Sequence, residues 1–86
     1  MRKGDAMPEL ILYKRMFCPY CNMVLEWIAQ NWPSEKPLTV KDTRIDAGAE
    51  DELMRVGGKS QVPCLFIDDK PLYESADIIA WLDEHK

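Results

Sequence analysis

Three cysteines carry the reactive potential of this 86-residue chain. Two stand three apart, in Cys18-Pro19-Tyr20-Cys21, and the third, Cys64, stands alone. A Cys-x-x-Cys pair is either half of a metal site or a redox couple. Zinc needs four ligands, and Cys18, Cys21, Cys64 and His85 are the whole stock of Cys and His, without a second paired motif. The redox reading is the stronger, and no metal is expected. Three cysteines also fall short of a disulfide scaffold, which uses an even count and many bridges.

The chemistry open to such a pair is thiol–disulfide exchange, and it needs positioning. Glu9 to Lys14 carries Leu10, Ile11, Leu12 and Tyr13, a short apolar run that predicts a buried strand. Arg15-Met16-Phe17 leads to the pair. Pro19 suits the first helical position, where its missing N–H costs nothing. From Tyr20 to Asn31, Val24, Leu25 and Ile28 share one helix face, and Trp32-Pro33-Ser34 ends the helix. Cys18 then falls at the N-cap and Cys21 near N3. Unpaired backbone N–H groups and the positive end of the helix dipole point at Cys18 and favour thiolate over thiol. Lys14 and Arg15 add positive charge nearby. Cys21, one turn in and less exposed, is placed to attack a mixed disulfide on Cys18.

Further along, Leu38 to Ile45 reads as a second strand. Asp46 to Arg55 reads as a short helix, with Leu53, Met54 and Val56 on its apolar face and Gly57-Gly58 ending it. Val62 to Ile67 is a third strand, Asp68-Asp69-Lys70 a tight turn, and Pro71 to Tyr73 a fourth strand at an edge. Ser75 is a good N-cap for a last helix from Ala76 to about Glu84, whose inner face is Ile78, Ile79 and Leu82. Judged on spacing alone, the Val62-Pro63 peptide bond is trans, as most X–Pro bonds are. The order β-α-β-α-β-β-α predicts an α/β fold: a four-stranded mixed sheet with three helices, the first two strands parallel and the last two a hairpin.

Length allows one domain, residues 1–86, with a polar start over 1–8 that is expected to fray. A domain this small buries only about 60–65% of its unfolded surface. With 47% hydrophobic and 30% charged residues, the composition excludes intrinsic disorder and collagen-like sequence. The longest apolar stretches, such as Cys64 to Ile67, are too short to span a bilayer, so no membrane association is expected. Arg2 and Lys3 are followed by Gly4, Asp5, Pro8 and Glu9 instead of an apolar signal core, which predicts a cytoplasmic protein. A net charge of -4 argues against nucleic-acid binding, so an anionic ligand needs a local basic patch.

These residues together resemble the thioredoxin fold and, within it, the glutaredoxin family. Cys18-Pro19-Tyr20-Cys21 matches the dithiol glutaredoxin active site, with Phe17 before it, and Val62-Pro63 resembles the family's Thr-Val-Pro, whose proline is cis. The resemblance runs from about Glu9 to Glu84. It implies reduction of glutathione-mixed and protein disulfides, with glutathione as reductant and no permanently bound cofactor. Cys18 is then the nucleophile and Cys21 the resolving thiol. Arg15 matches a basic residue that reaches the glycyl carboxylate, Tyr20 flanks the bound peptide, and Val62 pairs with it through the main chain beside Pro63. Glu74, Ser75 and Asp77 stand where the γ-glutamyl end binds. Two departures are plain: Gln61 replaces the usual Thr, and Glu74-Ser75 resembles the Glu-Ser pair of glutathione transferase N-terminal domains, as Gln61-Val62-Pro63 also does.

The plainer reading of several of these residues is structural. Lys14 reads as solvated, Cys64 as a small buried strand residue, His85 as a partner of a helix C-terminus, and Trp27, Trp32 and Trp81 as packing. Three other functions compete with the glutaredoxin reading. A thioredoxin-reductase-dependent redoxin serving ribonucleotide reductase usually lacks Pro-Tyr between its cysteines. A non-enzymatic glutathione-binding or iron–sulfur module usually has one cysteine, in Cys-Gly-Phe-Ser. A transferase carries a helical domain after this one, whereas this sequence stops at Lys86. The expected partners are glutathione and disulfide-containing or glutathionylated proteins, and the expected state is a monomer.

Overall fold

The computed structural model describes residues 8–86, so the expectation for the polar start falls, apart from Pro8, outside the described residues. Seven elements follow in the expected order: β1 Leu10–Lys14, α1 Pro19–Asn31, β2 Thr39–Asp42, α2 Ala49–Gly57, β3 Cys64–Ile67, β4 Lys70–Tyr73 and α3 Ser75–His85. The sheet order is β2-β1-β3-β4. β1 pairs parallel with β2 and antiparallel with β3, and β3 and β4 form the antiparallel hairpin. No described helix is long and apolar enough to cross a membrane.

Strand alternation sorts the core into two layers. Leu10 and Leu12 of β1 join Leu65, Val24, Ile78 and Leu82 on the face covered by α1 and α3. Tyr13 joins Cys64 and Phe66 with Ala49 and Leu53 on the α2 face. Each fully buried aliphatic side chain contributes about 1.5–3 kcal/mol. β1 and β3, central in the sheet, are thereby clamped from both sides, and the ends of both strands lead into the cysteine region. The α2 layer also takes in the Tyr13 hydroxyl. The Tyr13 hydroxyl donates to the Glu52 carboxylate, which also accepts from Lys41 Nζ at 2.9 Å. Burial, and then that carboxylate, push the Tyr13 phenol well above its usual range.

Several boundaries differ from the sequence reading, each for a local reason. The second strand stops at Asp42 instead of Ile45. There the Asp42 carboxylate accepts from the Arg44 N–H at 2.8 Å and Asp46 accepts from the Asp42 N–H at 2.7 Å, a side-chain-built turn that displaces the ladder. The second helix starts at Ala49, not Asp46, behind Gly48 at φ 80, and it closes through Gly58 at φ 89, whose N–H donates to the Met54 carbonyl. The third strand starts at Cys64 instead of Val62, because a cis Val62-Pro63 bond precedes it. That bond corrects the trans assignment made from spacing and agrees with the resemblance. Ser75 is not the N-cap of α3. Glu74 takes that place at φ 73, without a side-chain cap bond, and its carbonyl accepts from Ile78 N–H at 3.0 Å.

Candidate active site

Cys18 caps α1. Its backbone is extended, Pro19 occupies the first turn, and its sulfur accepts the Cys21 N–H at 3.3 Å. An N–H aimed at sulfur satisfies one of the helix's orphan donors and faces the charge that a nucleophilic thiolate carries. Cys18 is half-buried, whereas Cys21 is fully buried. Burial pushes the Cys21 thiol up to about 12, with its hydrogen bond to Cys18 adding to the rise and the Arg15 backbone N–H opposing it. The two sulfurs are therefore unequal: one reachable at a helix end, the other a protonated thiol held behind it.

Phe17 delivers the chain to this cap at φ 61, with its ring exposed. A left-handed backbone is uncommon for a bulky aromatic and marks a constrained entry to the helix. Past the cap, Tyr20, Gln61, Val62, Pro63, Glu74 and Ser75 line a groove of about 280 Å³. Gln61 Nε2 donates to Glu74 Oε2 across it at 3.2 Å. The first turn of α3 supplies backbone N–H groups at the Ser75 end. The groove is thus walled by Tyr20 of α1, floored by the Val62-Pro63 segment, and closed by an acid beside a helix N-terminus.

Of the residues singled out from the sequence, Tyr20, Val62, Pro63, Glu74 and Ser75 meet in this groove. Asp77 is exposed in the first turn of α3 and does not line it. Arg15 is anchored beside the segment that leads into it: Nε donates to Thr43 Oγ1 at 3.2 Å, and Nη2 donates to the Ser60 carbonyl at 3.3 Å. Lys14 corrects the expectation of charge beside the thiols. It forms an ion pair with Asp42 at 3.2 Å, whose carboxyl is held below the usual range first by the Arg44 N–H and also by Lys14. Cys64 is buried next to Pro63, and burial raises its thiol to about 11 against the pull of the Tyr73 hydroxyl. Gln61, Thr43 and Ser60 were not singled out as site residues. Gln61 showed only as a departure from a motif, and Thr43 and Ser60 gave no signal. A larger cavity of about 560 Å³ lies between β2 and α2, lined by Lys41, Asp46, Glu52 and Arg55 among others.

The sheet order, the cysteine that caps α1 and the cis-proline segment define a thioredoxin-like domain. Residues 17–85 match the glutathione S-transferase N-terminal domain, and the chain belongs to that family. Among solved structures it is similar to the thioredoxin-like protein BC3987, with a TM-score of 0.71 and 21% identity over 86% of this chain and 99% of that one. It is similar to oxidized glutaredoxin 2 from Chlamydomonas reinhardtii, with a TM-score of 0.63 and 26% identity over 91% and 74% of the two chains. It is also similar to glutathione transferase Omega 3C from Trametes versicolor, with a TM-score of 0.70 and 22% identity, covering 93% of this chain and 34% of that one. The search of curated proteins gave no match. The match falls on the family that Glu74-Ser75 and Gln61-Val62-Pro63 resemble. The cysteine pair and the likeness to the Chlamydomonas reinhardtii glutaredoxin support a thiol oxidoreductase-like role.

Proposed function

We propose that this protein is a glutathione-dependent thiol–disulfide oxidoreductase of the dithiol glutaredoxin type. The observation that carries the reading is the unequal pair: half-buried Cys18 with an N–H on its sulfur, and buried, protonated Cys21 one turn behind. The Cys18 thiolate attacks the glutathionyl sulfur of a mixed disulfide, the S–S bond breaks, and the substrate leaves as a thiolate that takes up a proton. A glutathione thiolate then attacks the glutathionyl sulfur bonded to Cys18, the S–S bond to Cys18 breaks, and glutathione disulfide leaves with Cys18 restored as thiolate. With a protein disulfide, Cys18 attacks one sulfur and the other leaves protonated. Cys21 loses its proton and attacks Cys18, which frees the substrate and leaves an oxidised pair. Two glutathione molecules reduce that pair in turn.

Glutathione lies in the groove with its main chain along Val62, its amine toward Glu74, its γ-glutamyl carboxylate at the Ser75 amides and its glycyl carboxylate toward Arg15. Proteins bearing disulfides or glutathionyl groups are the substrates. The domain works as a monomer in the cytoplasm. A second reading, glutathione binding in a transferase domain without disulfide exchange, draws on the family match and on Glu74-Ser75. Glutathione-dependent reduction of a mixed disulfide by wild type, Cys18→Ser and Cys21→Ser separates the two. The expected result is loss of activity in Cys18→Ser and retained deglutathionylation in Cys21→Ser, with loss of protein-disulfide reduction. An active Cys18→Ser protein sinks the exchange mechanism, and an inactive wild type favours the binding domain.

A further inference from the structure

Arg15 is a fixed cation with donors to spare. Its bonds to Thr43 and Ser60 engage Nε and Nη2, and a guanidinium carries five N–H groups. The acid that already faces it is Glu50, whose Oε1 lies 3.6 Å from Arg15 Nη2. The other carboxylates on this side have different commitments: Glu52 holds Tyr13 and Lys41, and Asp42 holds Lys14. Glu50 does not need Arg15 to keep its place. It stands with Asp51 and Glu52 in the first turn of α2, where the helix dipole favours acids. Its side chain is 54% exposed against 28% for Arg15, so it can swing away without opening the core.

We infer that Glu50 is a specificity-determining residue that competes with the carboxylate of an anionic thiol ligand for Arg15, weakening the hold on glutathione-like acids. This rests on the reading that Arg15 receives the ligand's carboxylate. A carboxylate-bearing ligand displaces Glu50 from the guanidinium, whereas a ligand that ends in an amide leaves the pair closed.

The test uses Cys21→Ser protein and glutathione disulfide. The Cys18 thiolate attacks one sulfur, the glutathione S–S bond breaks, the Cys18–glutathione bond forms, and one glutathione thiolate leaves and is protonated. The equilibrium constant for this exchange is read by intact mass for glutathione disulfide and for its analogue with both glycyl carboxylates converted to amides. The acid is expected to exceed the amide. Adding Glu50→Gln should raise the constant for the acid about two- to five-fold, the size of an exposed ion pair, and leave the amide unchanged. Asp51→Asn, the same charge change one residue on, should raise it less. In an Arg15→Gln background Glu50→Gln should do nothing. If the acid is preferred and Glu50→Gln leaves it unchanged, the competition is overturned and the Arg15 reading stands. If Asp51→Asn gains as much as Glu50→Gln, or if Glu50→Gln still acts without Arg15, the effect is long-range charge and the competition is likewise overturned. Equal constants for acid and amide overturn both the competition and the Arg15 reading.

Discussion

Alkylation of the reduced protein at pH 9 should separate the three cysteines by rate, and the structure sets the scale for Cys21. A thiol at its ordinary value of 9.0 is half ionised there, whereas Cys21, raised to about 12, is about 0.1% thiolate, roughly 500-fold less nucleophile. A more basic thiolate is intrinsically more reactive, by about 20-fold over three units at a Brønsted slope of 0.4–0.5. The net expectation is a rate about 20-fold below that of the unfolded chain, before the closed surroundings of Cys21 slow it further. The assay is iodoacetamide labelling with peptide mapping over time, run on the folded and the urea-unfolded protein. Repeating it on Cys18→Ser tests the cause. Burial is the largest contribution and survives that substitution, so Cys21 should stay slow. Folded Cys21 reacting within about three-fold of its unfolded rate would refute the asymmetry on which the exchange mechanism depends.

Stability should fall as the solution turns alkaline. Cys21 and Cys64 keep their protons in the folded state up to about 12 and about 11, while unfolded thiols lose theirs near 9.0. Their contribution is full below pH 9 and is lost as pH rises toward those values, so urea midpoints should decline above pH 9 and decline less in Cys64→Val. Tyr13→Phe keeps the ring in place and removes the bond to Glu52, which should cost about 1.5–3 kcal/mol in thermal or urea unfolding. The Glu52 carboxyl is held low first by that hydroxyl, so its stabilisation is present above pH 4.5 and lost as pH falls through the depressed folded value. Tyr13→Phe should flatten that acid limb. Gly57→Ala places a Cβ 2.6 Å from the Tyr73 hydroxyl, which donates to the Gly57 carbonyl at 2.9 Å. It should lower the Tm although alanine favours helix, at about 1–3 kcal/mol, and Gly57→Ala with Tyr73→Phe should recover part of the loss.

What could be read from the chain in advance was what neighbouring residues decide. Pro19 after Cys18 marks a helix start because a missing N–H and a fixed φ act within one turn, and the cap geometry of Cys18 follows from it. Gly57-Gly58 ends α2 on the same local logic. Lys14 shows the opposite case. It is adjacent in sequence to Arg15, but the parallel register at the end of β1 sets Lys14 against Asp42, whereas Arg15, just past the strand, bonds Thr43 and Ser60. The end of β2 depended on side chains four residues apart bonding backbone amides, which β propensity over Thr43 to Ile45 does not register. Ser75 has the right chemistry for a cap, but the turn from β4 puts Glu74 there with a positive φ. Arg15 and Glu50 lie 35 positions apart, and only the packing of α2 against the sheet brings them together. The cysteine pair was therefore legible, while the Arg15–Glu50 pair was not.

In the proposed mechanism Cys18 alone receives the glutathionyl group, and added glutathione, not Cys21, discharges it. Cys21→Ser protein incubated with a glutathionylated protein, then quenched with acid and mapped by mass spectrometry, tests this most directly. A single glutathionyl adduct on the peptide bearing Cys18, discharged by added glutathione and absent in Cys18→Ser, is the predicted result. An adduct on Cys64, or no adduct while the substrate is still reduced, would contradict it.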